Sequence, residues 1–523
     1  MRVLVTETIS AAGVDRLREA GDVDVATGLE RGELLRRVGN YDALVVRSVT
    51  RVDAELIAAG TRLRVIGRAG TGVDNVDVEA ATARGILVCN APQSNALAAA
   101  EHAIALMLAL ARNIPQAHAA LAAGRWERSR FSGVELADKT LAVVGFGRIG
   151  QLVAARARGL GMRVVTYDPF VSAERVRERG AELAETVEEA VANADWVTLH
   201  LPATAETHHI VGAALLQKMR PGVRIVNAAR GELIDTVALA DALESGHVAG
   251  AALDVFESEP ITESPLFGRD DVVVTPHLGA STAEAQDRAG TIIAEQVVLA
   301  LTGELCENAV NVPDVSIEDR MALAAYVPLA EKLGRVAVAL ADGGIERIEI
   351  TCAGGIGQRD TRLLTLAVLR GALRGMDEDD ANLVNARALA QARGIDVREL
   401  RREAGDFTNL VRVATSDGAA VAGTLFGADD RTWLVRARGY EVEIELAGLM
   451  LFVLNDDRPG MIGTIGTLLG AAGVNVANMN VARNREGGMA LSAIQVDGDV
   501  PEATLAALRA TPGLTGLRVV RLD

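Results

Sequence analysis

Three short stretches each set one polar residue where a buried strand should end: NAARG (227–231), DVFESEP (254–260) and TPHLG (275–279). They supply Arg230, Glu259 and His277. Oxidising a secondary alcohol needs a base for the hydroxyl proton while hydride leaves the same carbon. Imidazole suits that task because its pKa lies near neutrality. A carboxylate such as Glu259 stabilises the imidazolium. Arg230 can grip a carboxylate bidentately and polarise a forming carbonyl oxygen. A single histidine is more often structural, so the reading rests on three such residues at successive strand ends. His102, His118, His200, His208, His209 and His247 lack that company and read as structural or surface residues.

A second pattern, Gly145-Phe-Gly147-Arg148-Ile149-Gly150, follows an apolar run and opens a helical one. Alone it is weak, but here it has a strand before it, a helix after it and an acid closing the next strand. Gly145 permits the tight turn, Gly147 lets backbone approach a pyrophosphate, and Gly150 allows close helix–strand packing. The amides of Arg148 and Ile149 at the helix N-terminus can hold phosphate oxygens. Asp168, eighteen positions after Gly150, suits ribose hydroxyls and repels a 2′-phosphate, which favours NAD over NADP.

The elements that must carry these groups alternate between strand and helix. Strands are predicted at Met1–Thr8, Asp42–Arg47, Leu63–Arg68 and Ile86–Cys89, then a long helix near Ala98–Arg112. Six more strands follow, at Leu141–Gly145, Arg163–Asp168, Trp196–His200, Val223–Ala228, Ala251–Val255 and Val272–Thr275. Six strands with intervening helices make a doubly wound nucleotide domain. We expect it, over 98–282, to be inserted into a first α/β domain formed by 1–97 and 283–313. Residues 314–446 read as a mixed α+β domain. Residues 447–523 follow a βαββαβ, ferredoxin-like order.

Bulk properties narrow the function classes. A length of 523 residues suits about three or four cores. The net charge of -17 argues against nucleic-acid binding, which needs a basic face. No apolar run reaches the roughly 18–20 residues that cross a bilayer, and MRVLVTETIS reads as a strand rather than a signal peptide. Cys89, Cys306 and Cys352 are widely spaced, without the pairing that marks zinc or a disulfide framework. These features point to a cytoplasmic protein without a metal.

The blocks VGFGRIG (144–150), VNAARGELID (226–235), ALDVFESEP (252–260) and TPHLGASTAEAQDRAG (275–290) resemble those of the D-isomer-specific 2-hydroxyacid dehydrogenases. VVRSVTRVDAE (45–55), GRAGTGVDNVD (67–77) and GRWERSRFSG (124–133) are similar to the long form of that family. That form carries an intervening domain and a C-terminal ACT domain, and the resemblance then covers essentially the whole chain. It implies a flavodoxin-like substrate domain holding an inserted Rossmann-type NAD domain. It implies NAD-dependent oxidation of 3-phosphoglycerate to 3-phosphohydroxypyruvate, the first step of L-serine biosynthesis, with L-serine as feedback effector.

By the same resemblance His277 is the acid/base, Glu259 its partner and Arg230 the anchor of the substrate carboxylate. Gly72 and Val73 offer amides to that carboxylate, and Arg47 and Arg68 hold the phosphate end. Arg128 reaches in from a neighbouring subunit of a homo-oligomer, a dimer or tetramer. Thr71, Arg148, Ile149, Asp168, Ala228, Arg230, Asp254, His277 and Ala280 fall on NAD-contact positions, with Ala229, Leu278 and Gly279 in the same turns. Leu201 stands where some members have threonine, which leaves a backbone contact. Asn455, Asp457 and Asn475 match the serine-binding edge of ACT domains, with Asn455 replacing a His or Tyr. The positions that hold a regulatory anion in the intervening domain of some relatives fall on Trp433 and Tyr440, so that site does not transfer. Two other readings stay open: a sister enzyme for glyoxylate, hydroxypyruvate or 2-oxoglutarate, and a non-catalytic NAD-binding regulator.

Overall fold

A computed structural model describes residues 1–523 apart from Leu305, Asp314 and Asp523. The expected domain start at 314 and the chain end at 523 lie outside the described residues.

The first sheet is parallel and built from β1 (Arg2–Val5), β2 (Asp22–Val25), β3 (Ala43–Val46), β4 (Val65–Arg68) and β5 (Leu87–Cys89), in the order β2-β1-β3-β4-β5. The central β3 is buried along its whole length, as a strand covered on both faces must be. The edge strand β2 escapes prediction because its DVDV sequence alternates charge and is only partly buried.

The second sheet is also parallel, with seven strands: β6 (Thr140–Val144), β7 (Arg163–Tyr167), β8 (Glu182–Leu183), β9 (Trp196–Leu199), β10 (Val223–Asn227), β11 (Val248–Leu253) and β12 (Val272–Val274). Its order is β12-β11-β10-β9-β6-β7-β8, one more strand than expected, because the two-residue β8 carries no apolar run. The chain runs outward from β6 through β7 and β8, then resumes on the other side at β9. The C-terminal ends of β6 and β9 therefore form the switch point where doubly wound sheets bind ligands.

The helix Ala283–Thr302 then returns to the first sheet. Thr282 caps it by accepting from the Ala285 amide, and Gly303, at φ 85°, ends it. It crosses the helix Ala11–Ala20 at paired glycines. A Cβ on Gly13 would lie 2.5 Å from the Gly290 carbonyl oxygen, so only glycine admits this approach.

Two further sheets follow. One contains β13 (Arg347–Gly354), β14 (Asp396–Arg402), β15 (Asn409–Thr415), β16 (Ala420–Phe426), β17 (Arg431–Ala437) and β18 (Tyr440–Glu445), in the order β14-β13-β15-β16-β17-β18. The last is antiparallel, with β19 (Leu449–Asp456), β20 (Asn475–Arg483), β21 (Met489–Asp497) and β22 (Leu514–Arg521) in the order β20-β21-β19-β22. Strand β19 is apolar on both faces. Leu449, Leu451 and Val453 pack with Ile465, Leu469 and Leu508 of the covering helices. Met450 and Phe452 share a core with Leu333, Leu434 and Ile444 of the preceding domain.

Among the described residues no single helix is long and apolar enough to cross a membrane. The bent pair Ala96–Ala111 and Ile114–Ala122 matches by length and composition, but Ala100, Ala103, Met107 and Ala111 of the first helix lie in the nucleotide-domain core.

Candidate active site

A cleft of about 990 Å³ opens between the first two domains. One wall presents Arg47, Arg68, Gly70, Thr71 and Gly72; the other presents Ile149, His200, Leu201, Ala228, Ala229, Arg230, Glu259, His277, Gly279 and Ala280.

His277 follows β12 with φ 56°, a left-handed conformation that disfavours a side chain. Its surroundings hold it there. The His277 amide donates to the Asp254 carbonyl at 2.8 Å, and the Leu278 and Gly279 amides donate to the Asp254 carboxylate at 2.7 and 2.8 Å. Thr275 Oγ1 donates to the same carboxylate, and His102 Nε2 lies 3.1 Å from Thr275 Oγ1 and from Asp254 Oδ1. Burial pushes the Asp254 pKa up, and these bonds outweigh it, so the carboxyl sits below its ordinary value. Asp254 is completely buried. It stands behind the cleft wall as a clamp on the histidine loop. His102, set aside on sequence grounds, joins the same clamp. It is 173 residues from Thr275 in sequence, and no local signal marks it.

His277 Nδ1 lies 2.6 Å from Glu259 Oε2, while Glu259 Oε1 accepts from the Phe256 amide at 2.9 Å. A carboxylate can only accept, so Nδ1 carries the proton and Nε2 is left to act. The Glu259 bond raises the imidazole pKa above its ordinary value against the opposing effect of burial. For Glu259 burial acts upward, and the bonds from His277 and the Phe256 amide leave its carboxyl below the ordinary value. His200 also lines the cleft, but burial pulls its pKa down to about 4, so it is neutral at physiological pH. A second His–carboxylate pair, His209 with Glu257 at 3.0 Å, lies outside the cleft lining.

Arg230 spans the cleft mouth. Its Nη1 donates to the Ala229 carbonyl at 2.7 Å and its Nη2 to Asp74 Oδ2 at 3.3 Å. A Cβ at Gly72 would lie 2.3 Å from Nη2, so the guanidinium rests against the Gly72 backbone. Arg68 folds over Gly70, where a Cβ would lie 1.8 Å from its Nη1. Among the described residues its buried Nε has no hydrogen-bond partner, and burial pulls its pKa down. Among the described residues neither Arg47 nor Arg68 has a carboxylate partner within 4.0 Å; Arg47 makes one long bond to the Thr8 carbonyl, at 3.4 Å. Two unpaired guanidiniums in one cleft suit an anionic ligand.

The glycine turn lies at the switch point. Gly145 has φ 95° and a Cβ there would lie 2.4 Å from the His200 carbonyl oxygen; at Gly150 it would lie 2.1 Å from the Gly145 carbonyl oxygen. Gly147 differs: its φ of -67° suits any residue and a Cβ would meet nothing within 4 Å. The space beside Gly147 and the amides of the helix Arg148–Gly159 therefore fit a dinucleotide phosphate. Asp168 accepts from the Phe146 amide at 2.8 Å and the Phe170 amide at 2.9 Å, tying the end of β7 to this turn and leaving lone pairs for ribose hydroxyls.

Val73 packs its side chain against the first domain's core, and Leu278 is 41% exposed outside the cleft lining. Arg128 sits on the exposed turn Arg128–Phe131, away from its own chain's cleft. Asn455 is buried, with its amide spent on the Asp456 carbonyl and Ser492. Asp457 binds the Gly487 amide near the C-terminal end of β20, while Asn475 binds Asp497 at its N-terminal end. Nine residues of strand separate them, about 25 Å at the usual rise. One chain does not bring them together. In the intervening domain Trp433 stacks obliquely on Phe426, and Arg431, Arg436 and Arg438 pair with Glu445, Asp406 and Asp342.

The nucleotide turn at the switch point and the His–Glu–Arg wall define an NAD-dependent oxidoreductase of two-domain, cleft-bearing architecture. Residues 104–279 match the D-isomer specific 2-hydroxyacid dehydrogenase NAD-binding domain, 322–436 the D-3-phosphoglycerate dehydrogenase intervening domain, and 449–513 the ACT domain. The chain belongs to the D-isomer-specific 2-hydroxyacid dehydrogenase family, in its long, ACT-bearing D-3-phosphoglycerate dehydrogenase branch. It is 46% identical to D-3-phosphoglycerate dehydrogenase of Mycobacterium leprae, covering 100% of this chain and 99% of the relative. It is 42% identical to that of Methanocaldococcus jannaschii, covering 100% of both. Among solved structures it resembles the TT0316 protein of Thermus thermophilus, with a TM-score of 0.55 and 38% identity over 59% of this chain and 100% of that one. It also resembles D-lactate dehydrogenase of Aquifex aeolicus complexed with NAD and lactic acid, with a TM-score of 0.53 and 27% identity over 60% of this chain and 99% of that one.

Proposed function

We propose that this chain oxidises 3-phospho-D-glycerate to 3-phosphohydroxypyruvate with NAD, the entry step of L-serine biosynthesis. The observation that carries the reading is the pairing of His277–Glu259 and Arg230 on one cleft wall with Arg47 and Arg68 on the other. The substrate carboxylate is held by Arg230 together with the adjacent Gly72 amide, and the phosphate meets Arg47 and Arg68. His277 Nε2 takes the proton of the C2 hydroxyl, and Glu259 stabilises the imidazolium that forms. Bound NAD supplies the hydride acceptor for C2. Arg230 steadies the carbonyl oxygen as it forms, and closure of the cleft excludes water.

A second copy completes the assembly. Trp126, two residues before Arg128, is 81% exposed, and Leu121 and Ile114 on the helix that neighbours the Arg128 turn are exposed too; a neighbouring chain would cover these apolar side chains while directing Arg128 toward its partner. L-serine feedback likewise needs two ACT domains, one offering Asp457 and the other Asn475. The location is cytoplasmic, in keeping with a metabolic dehydrogenase whose three cysteines are free thiols.

The test is NADH oxidation by purified protein with 3-phosphohydroxypyruvate, hydroxypyruvate, glyoxylate and 2-oxoglutarate, with and without L-serine. The reading requires the phosphorylated substrate to lead in kcat/KM and Arg47→Ala to erase that lead. Equal turnover of the unphosphorylated acids refutes the substrate assignment, and serine without effect at millimolar levels refutes the feedback.

A further inference from the structure

The loop that presents Arg47 is held by two side chains from elsewhere in the same sheet edge. Glu7, just beyond β1, turns its carboxylate onto three backbone amides of this loop. Oε1 accepts from Arg47 at 2.9 Å and Thr50 at 2.8 Å, and Oε2 accepts from Val49 at 3.1 Å. Asn75, three residues past Gly72, binds the opposite polarity. Its Nδ2 donates to the Arg47 carbonyl at 2.8 Å and the Thr50 carbonyl at 2.7 Å, while its buried Oδ1 has no partner among the described residues. Backbone pairing of Val52 with Asn75 and Val76 reinforces the link.

Charge-assisted bonds to three amides are strong and directional. Together with the Asn75 bonds they fix the Arg47 backbone, although among the described residues its guanidinium makes only one long hydrogen bond. Asn75 also belongs to the segment whose Gly72 lies against Arg230. It therefore ties the carboxylate end of the cleft to the end holding Arg47. A ligand carrying two anionic groups must match the distance between those ends; a ligand with one need not.

We infer that Glu7 and Asn75 are positioning residues that set the spacing between the two anion-binding ends of the cleft, and so select 2-hydroxy acids with a second, distal anion. This rests on the substrate reading above and deepens it, because it says what makes that selection rigid. Neither residue touches the reacting atoms.

The experiment compares kcat/KM for 3-phosphohydroxypyruvate and hydroxypyruvate, which share the carboxylate and reacting carbon, in the full-length wild type, Asn75→Ala, Glu7→Gln and Arg47→Ala. Glu7→Gln keeps the shape but places an amide donor against one backbone N–H, which guards against a misfolded Asn75→Ala. We expect each positioning variant to lose about 10- to 100-fold with the phosphorylated substrate, mostly in KM, the scale of a misplacement near 1 Å. The loss with hydroxypyruvate should stay within about threefold, and the KM for NADH should not move. In an Arg47→Ala background the Asn75→Ala effect should vanish, since both act through one guanidinium. Parallel losses on both substrates, or additivity with Arg47→Ala, overturn the inference. A wild type that shows no preference for the phosphorylated substrate overturns the substrate reading itself, and the inference with it.

Discussion

His277 gains its chemical identity from its neighbours. Its Nδ1–H is committed to Glu259, so one tautomer dominates and Nε2 faces the cleft. Because the Glu259 bond raises its pKa, the imidazolium persists to higher pH than in an isolated histidine. Oxidation needs the neutral imidazole and so gains as pH rises through that pKa; reduction needs the imidazolium and fades over the same range. Glu259→Gln removes the charge that raises the pKa, so both limbs should move to lower pH in kcat/KM profiles. Profiles that do not move would show that Glu259 serves orientation alone. His277→Ala should lower kcat by about 10²- to 10⁴-fold while NAD binding, followed by fluorescence titration, stays within about threefold. His200 offers no rescue: with its pKa pulled down to about 4 by burial, it is a poor proton acceptor for oxidation and lacks the proton that reduction needs.

At the scale of the element, the glycine turn separates two uses of the same residue. Gly147 faces open space, so Gly147→Ala should fold normally and raise the KM for NAD by about tenfold or more, since a methyl group then occupies the path of the backbone toward the pyrophosphate. Gly150 faces the Gly145 carbonyl at 2.1 Å. Gly150→Ala should cost about 1–3 kcal/mol of stability through overpacking, seen as a lower Tm with or without cofactor. Equal Tm values for the two variants would contradict this division. The turn was legible in the sequence because its glycines sit between a buried strand and a helix. The separation of roles was not, since the three glycines look alike until the neighbouring backbone is in place.

The whole molecule is more tightly joined than a row of domains. The ACT sheet buries one face under its own helices and the other against the intervening domain, through Met450, Phe452, Leu491 and Ala493. Truncation after residue 446 should therefore do more than abolish an effector response. It strips the cover from an apolar face, so the shortened protein should melt earlier and aggregate, and calorimetry of the full chain should show these two domains unfolding in one transition. Phe452→Ala should cost about 3–5 kcal/mol in that transition. Independent unfolding of the two domains would sink this account.

The order of elements, the nucleotide turn and the His–Glu–Arg set follow from local pattern: continuous apolar runs, glycine spacing and polar residues at strand ends are short-range signals. The edge strands β2 and β8 escaped because edges need little apolar surface. What only the tertiary structure decided depends on groups distant in sequence. It made Asp254 the buried anchor of the histidine loop, with His102 beside it. It joined Glu7 and Asn75 to one loop across 40 and 28 residues, and it set Asp457 and Asn475 at opposite ends of a strand. Hydrogen bonds across a folded sheet edge leave no periodicity in the chain, because each partner is an ordinary polar residue until packing brings the two together.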